Sequence, residues 1–416
     1  MILKNKLLKN TGLLVGGTAI AQVITFLATL FLTKLYAPES FGLLSLCTSF
    51  ISAFLPLSTL RYDKAIVIAE DEKEVYGLVA LSFLSSILLA GISCCVAIIL
   101  YSFQLVIKEH YILLLMVPIG ILLFSFISIF QMYFEKSNGF KVTSKGAIVV
   151  AFTKSSAQFG LFYTFPLLGM VLGYILALII GCTYYFCNTV NFFKKLYKFS
   201  NRETLLRTAK KYYKFPKYFT FSNVLKSVSQ NICSFTFPIF FSLSVLGSFS
   251  IAFKIVKLPS SLIAAAIRRA YCPEGAKLYN TDKLKFFKLY LKTSKFLVLI
   301  SIIPVIIMEL FTDDLFHLFF DESWWDAAIY AKIILGYVFF NFINSLAHEN
   351  MIIFGLQKTF LVIEAIWLVL SFCLVYIAYL YQDSYLAVIF YSVLGMVMEI
   401  VIFIIQYKKL KGMLTI

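Results

Sequence analysis

"SIAFKIVKLPSSLIAAAI", residues 250 to 267, is apolar almost throughout, yet it carries Lys254 and Lys257 near its middle. A lysine at mid-membrane costs about 2.5 to 3.5 kcal/mol on insertion scales. A helix that holds two of them needs a wet face or buried partners. Helical spacing puts Ser250, Lys254, Lys257 and Ser261 on one stripe, at i, i+4, i+7 and i+11. That face can meet water while the opposite face meets lipid. The stretch therefore reads as a membrane-spanning helix beside a polar cavity.

The rest of the chain repeats its length and apolarity. The 416 residues are 61% hydrophobic, with a mean hydropathy of +0.88. Twelve stretches are long enough to span: 12–33, 41–60, 75–101, 111–134, 146–165, 167–190, 218–241, 247–267, 291–311, 327–353, 359–381 and 385–407. In lipid every backbone group must be satisfied within the segment, which favours helices over open strands. The expected fold class is an all-α polytopic membrane protein, with about twelve transmembrane helices in two six-helix bundles around a central cavity. The basic start "MILKNKLLKN" runs into a segment too long for a removable signal peptide and reads as a retained first span.

With that end inside, inner segments, counted together with the basic start of span nine, hold 30 of the 37 Lys and Arg residues, including nine in 191–217 and eight in 268–295. Outer segments hold only Lys34 and Lys108, and the outer turn 312–326 has five acids and no basic residue. The positive-inside rule thus places both termini in the cytoplasm. The net charge of +16 is explained by these inner loops, so no nucleic-acid partner is expected. Aromatic and basic residues interleave in "FFKKLYKF" and "KKYYKFPKY", a mixture suited to anionic lipid headgroups.

Seven of the eight cysteines fall in apolar spans and read as small apolar residues. The three histidines are His110, His317 and His348, and no HExxH or CxxC spacing occurs, so neither a metal site nor a cofactor is expected.

Segment 191–217 separates six spans from six. The expected domains are a bundle over 1–190, a basic interfacial linker over 191–217 and a bundle over 218–416. The halves share local features: Gly42 and Ser45 match Gly247 and Ser250, Pro56 matches Pro259, and Arg61 matches Arg268. An even span count per half would keep a parallel duplication in one orientation.

The stretch "LTKLYAPESFGLLSLCTSFISAFLPLSTLRYDKAIVIAEDEKE", residues 32–74, resembles the amino-terminal signature of the Wzx-type O-antigen and polysaccharide flippases. "FDESWWDAAIYAKIILGYVFFNFINSLAHENMIIFGLQK", residues 320–358, resembles that family's tryptophan-containing outer turn. The resemblance implies a fold shared with the multidrug and toxin extruders, and alternating-access export of undecaprenyl-pyrophosphate-linked oligosaccharide across the bacterial inner membrane. It also implies membrane lipids and other polysaccharide assembly proteins as partners.

The anionic headgroup of such a substrate must cross about 30 Å of hydrocarbon. Candidate substrate-binding residues are therefore the span lysines Lys154, Lys226, Lys254 and Lys257, with Gln158 one turn from Lys154 and Asn223 and Gln230 flanking Lys226. The bland reading pairs each lysine with Glu349, Glu364 or Glu399 on another helix, but the lysines outnumber these acids. Glu364 and Glu399 are also candidates for proton or sodium coupling, because a carboxylate in low dielectric can load and unload a proton. The stripe Asn341, Asn344 and His348 is expected to face protein and hydrogen-bond between helices. Arg61 and Asp63, at the inner end of span two, are candidates for a cytoplasmic gate or headgroup entrance. One alternative is a drug extruder of the same superfamily, which would need an acidic or aromatic pocket for a cationic substrate where the span charge here is predominantly basic. The other is a membrane-embedded polymerase or glycosyltransferase, which would need a sizeable outer loop where the outer segments here reach about 15 residues.

Overall fold

The computed structural model describes residues 2–103, 111–189 and 192–414, and among these the regular structure is helical throughout. Lys108 and His110, expected in an outer turn, lie outside the described residues.

The first six spans appear as α1 (Ile2–Leu32), α2 (Pro38–Ser58), α4 (Glu72–Ser102), α5 (Tyr111–Lys136), α6 (Phe140–Leu161) and α7 (Gly169–Cys187), with the four-residue α3 (Tyr62–Ala65) after α2. The linker folds into α8 (Phe192–Phe199) and α9 (Arg202–Lys211). The Asn201 side chain caps α9 by accepting from the Thr204 amide at 2.9 Å. The remaining helices are α10 (Thr220–Gln230), α11 (Ile232–Phe240), α12 (Leu243–Thr281), α13 (Lys283–Phe319), α14 (Trp325–Ile343), α15 (Ser345–Ile353), α16 (Gln357–Leu380) and α17 (Ser384–Leu414).

Among the described residues nine helices are long and apolar enough to cross a bilayer, and Gly16–Leu32 of α1 is apolar but shorter. Of the other expected spans, α6 carries Lys141, Lys145 and Lys154, which dilute its hydropathy. Span seven is broken at Asn231 into α10 and α11. Span ten is likewise broken, at Asn344, into α14 and α15. The expected inner loop after span eight is mostly helix: α12 runs 39 residues, about 58 Å at the helical rise. Only Asp282 separates it from α13, accepting from the Lys285 amide at 3.0 Å to start the next helix.

The chain divides into two compact units, one of residues 1–36 with 43–231, the other of 37–42 with 232–416. The boundary thus falls inside span seven, whereas the sequence places it at 217–218. The reason is local: the Asn231 amide group accepts from Ser49 Oγ at 3.0 Å, and Asn223 accepts from Arg61, so α10 is tied to α2.

The first unit buries an aromatic core of Phe130, Phe134, Tyr185 and Phe192 beside Leu78 and Val79. Helices α6 and α7 approach closely; a Cβ on Gly146 would lie 2.4 Å from the Tyr185 hydroxyl. The second unit buries Phe286, Tyr290, Leu297 and Phe342 in one cluster. Met351 and Met398 belong to another. Trp324 is buried in this unit and meets Phe41 edge to face, ring centroids 5.1 Å apart. Large apolar side chains left exposed, such as Leu88 on α4 and Ile303 on α13, sit on the long span helices, as a lipid-facing surface requires.

Candidate functional site

In the first unit the end of α2 is turned by two consecutive residues in the left-handed region, Leu60 (φ 48°) and Arg61 (φ 57°). Each such residue costs roughly 1–2 kcal/mol, so surrounding contacts must hold the turn. They do so on both sides. Arg61 Nη2 donates to Asn223 Oδ1 at 2.8 Å, reaching α10. Asp63 is fully buried and accepts from Thr59 Oγ1 at 2.9 Å and Ser128 Oγ at 3.1 Å. Arg61 Nε is buried without a hydrogen-bond partner among the described residues.

Because Asn223 meets Arg61 while Asn231 meets Ser49 and Ser52, α10 runs antiparallel to α2. Lys226 and Gln230 lie between these anchor points. Lys226 is half-buried and Gln230 exposed. The structure thus gathers Arg61, Asn223 and the turn carrying Lys226.

Lys154 is half-buried on α6, with its ammonium 5.5 Å from the centroid of the Tyr174 ring on α7. It makes no ion pair among the described residues. Gln158 shares its face but is 2% exposed: its side-chain amide Nε2 donates to the Met170 carbonyl at 2.8 Å, and its backbone carbonyl accepts from the Tyr36 hydroxyl. The Gln158 side chain is therefore occupied between α6 and α7.

In the second unit Lys254 is half-buried and Lys257 exposed on α12. The Lys257 ammonium lies 4.8 Å from the centroid of the Phe253 ring, a cation–π contact. It forms no ion pair among the described residues, though Glu399 and Arg268 are within electrostatic reach. Arg268 itself lies 4.0 Å from Glu349.

Glu399 on α17 is 3% exposed and is the centre of the polar cluster. Asn341 Nδ2 donates to Oε1 at 2.6 Å, Asn344 Nδ2 to Oε2 at 3.2 Å, and His348 Nε2 lies 3.2 Å from both oxygens. Asn344 also donates to the Glu399 carbonyl at 2.5 Å, contacts made where α14 breaks into α15. The Asn341–Asn344–His348 stripe faces protein, as its spacing predicts; its meeting with Glu399 had no signal in the sequence. Glu364 is half-buried on α16, within electrostatic reach of Tyr337.

A carboxylate held by two amides and an imidazole can exchange a proton or accept a cation. The span ammonium groups of Lys154 and Lys257, which make no ion pair among the described residues, can receive an anion. Both sets lie on helices of the membrane region, two of them interrupted, and discontinuous helices frequently border transport sites.

Residues 31–329 match the family model described as polysaccharide biosynthesis protein. No curated protein matches the sequence. Among solved structures, an inward-facing multidrug resistance MATE family transporter of the MOP superfamily is 16% identical, with a TM-score of 0.65 over 94% of this chain and 95% of that one. An outward-facing transporter of the same description is 15% identical, with a TM-score of 0.64 over 97% and 96%. A MOP superfamily transporter from Pyrococcus furiosus, described by the reverse polarity of its binding pocket, is 14% identical, with a TM-score of 0.62 over 97% and 96%. At these identities the likeness is one of fold.

Proposed function

Because the chain belongs to the polysaccharide biosynthesis protein family and has the fold of MOP-superfamily transporters, we propose that it flips undecaprenyl-pyrophosphate-linked oligosaccharide from the cytoplasmic to the outer leaflet of a bacterial inner membrane. The observation that carries this reading is the pair Lys154 and Lys257, in spans and without ion-pair partners among the described residues. A cation in hydrocarbon is costly unless water or an anion solvates it. A pyrophosphate headgroup is such an anion, and lysine, a mobile point charge, can release it where arginine would clamp it.

In this reading Lys154 and Lys226 act in the first unit and Lys254 and Lys257 in the second. Arg61, oriented by Asn223, receives the headgroup at the cytoplasmic end, and buried Asp63 holds the strained turn that aims it. Alternating access moves the headgroup while the lipid tail stays in the bilayer. Glu399, with His348, is the group we assign to coupling with a proton or sodium gradient, and Glu364 is its reserve. Basic charge in the spans also argues against an extruder of cationic drugs.

The test is flipping of a lipid-linked oligosaccharide by the purified full chain in proteoliposomes. Lys254→Gln and Lys257→Gln keep a polar side chain and remove the charge, so each lowers the rate at unchanged protein level. The double change lowers it further, and arginine restores it in part. Wild-type rates for both glutamine variants would sink the assignment of these lysines.

A further inference from the structure

The connection between α7 and α10 is held to the first unit through one side. Phe192 is buried against Tyr76, Phe130 and Tyr133, with ring centroids 4.7 to 5.8 Å away. Thr208 is buried over Gly77, where a Cβ would lie 2.7 Å from its Oγ1. Tyr212 donates to Glu74 Oε2 at 2.9 Å. The segment is therefore docked at the end of the bundle where α4 begins and α5 finishes.

Of its nine basic residues two are spent on that docking. Lys195 pairs with Glu72 at 2.6 Å, and Lys211 with Glu74 at 2.5 Å and Glu70 at 3.5 Å. The other seven, from Lys194 to Lys217, are exposed and make no ion pair among the described residues. Apolar groups are interleaved with them: Tyr197 is 91% exposed, Leu206 62% and, just beyond, Phe221 76%.

We propose that this outward side of α8, α9 and the turn leading into α10 binds the anionic phospholipid headgroups of the adjoining leaflet. Two features favour lipid over an acidic protein. Cations alternate with aromatic and aliphatic groups, which suits a layer charged at its surface and apolar just beneath. The segment also follows α7, long and apolar enough to cross a bilayer, and leads into the broken span seven, which keeps it near the headgroup plane. Docking through Phe192, Thr208 and Tyr212 presents the seven charges on an ordered surface, so less ordering is needed when lipid binds. The proposal rests on the multi-pass membrane assignment and is independent of the transported substrate.

The test uses the full chain in lipid nanodiscs, with Tyr197→Cys carrying an environment-sensitive fluorophore in a background free of other cysteines. Adding phosphatidylglycerol to a phosphatidylcholine disc should shift the emission to the blue and protect the dye from an aqueous quencher, and salt should reverse both. Changing Lys194, Lys198, Lys210 and Lys214 together to glutamine leaves Lys195 and Lys211 to hold the segment. It should raise the phosphatidylglycerol fraction needed for half the shift by about tenfold. Emission that is the same in both disc types, or a quadruple variant with the wild-type response, overturns the proposal. A shift that needs added cytosolic protein overturns it in favour of a protein partner. Transport is not the readout, so failure here leaves the flipping assignment standing.

Discussion

Gly42 on α2 and Gly247 on α12 face each other backbone to backbone. A Cβ built on Gly42 would lie 2.0 Å from the Leu243 carbonyl oxygen and 3.3 Å from Gly247 N; one built on Gly247 would lie 1.8 Å from the Pro38 carbonyl oxygen and 3.1 Å from Gly42 N. The two positions matched between halves of the sequence thus meet at one helix crossing, which places residues 37–42 with the second unit. Backbone cannot move aside as a flexible side chain can. Gly42→Ala and Gly247→Ala should each destabilise the folded protein by about 1–3 kcal/mol, read as a lower melting temperature in detergent. Gly160→Ala, with nothing within 4 Å, should leave it unchanged.

Glu399 separates structural from coupling roles. Glu399→Leu leaves the Asn341 amide without its carboxylate acceptor and Asn344 with the residue 399 backbone carbonyl alone, and should cost about 1–3 kcal/mol of stability. Glu399→Gln keeps an acceptor and removes the charge, so it should fold at wild-type abundance, lose gradient-driven transport and retain downhill exchange. Gradient-driven transport at the wild-type rate in that variant would shift the coupling role to Glu364.

The docked linker should be stable across the physiological range of pH. Its hydrogen bond to the Glu74 carboxylate raises the Lys211 ammonium above the ordinary lysine range. That contribution is complete below about pH 10.4, the ordinary lysine value, and is lost as pH rises through the higher folded value. At the α12–α13 junction the Lys285 amide and ammonium lower the Asp282 carboxyl. Its contribution is complete above about pH 3.9 and lost as pH falls through the lower folded value. Limited proteolysis at Lys210 and Lys211 should therefore be equally slow from about pH 6 to 9 and faster in strong alkali. High salt should also speed it, since exposed ion pairs are screened.

The turn at Leu60 and Arg61 depends on Asp63. Ser128→Ala removes a hydroxyl donor from a buried carboxylate and should cost about 1.5–3 kcal/mol. Asn223→Ala, by contrast, frees the half-buried Arg61 side chain, and should slow transport more than it lowers the melting temperature. Equal loss in both measurements would make the Arg61–Asn223 contact structural.

The membrane-spanning character, the all-helical class and the basic linker were legible in the sequence, because a bilayer imposes length and apolarity segment by segment, without reference to other segments. The span lysines stood out for the same reason, as local violations of that demand, and the two quoted signatures carried the family. Other features were decided only by contacts across the chain. Periodicity put Asn341, Asn344 and His348 on one face, but the partner of that face, Glu399, lies 51 residues beyond His348. Arg61 and Asn223, 162 residues apart, meet because α10 packs along α2 and is stopped at Asn231. Gln158, one turn from Lys154, is drawn into the α6–α7 contact, where a close-packed Gly173 brings the helices near enough for its amide to reach Met170. A helical pattern specifies which side of a segment must be covered; which side chain covers it, and where an asparagine finds a better bond than the next helical turn offers, depends on packing in three dimensions.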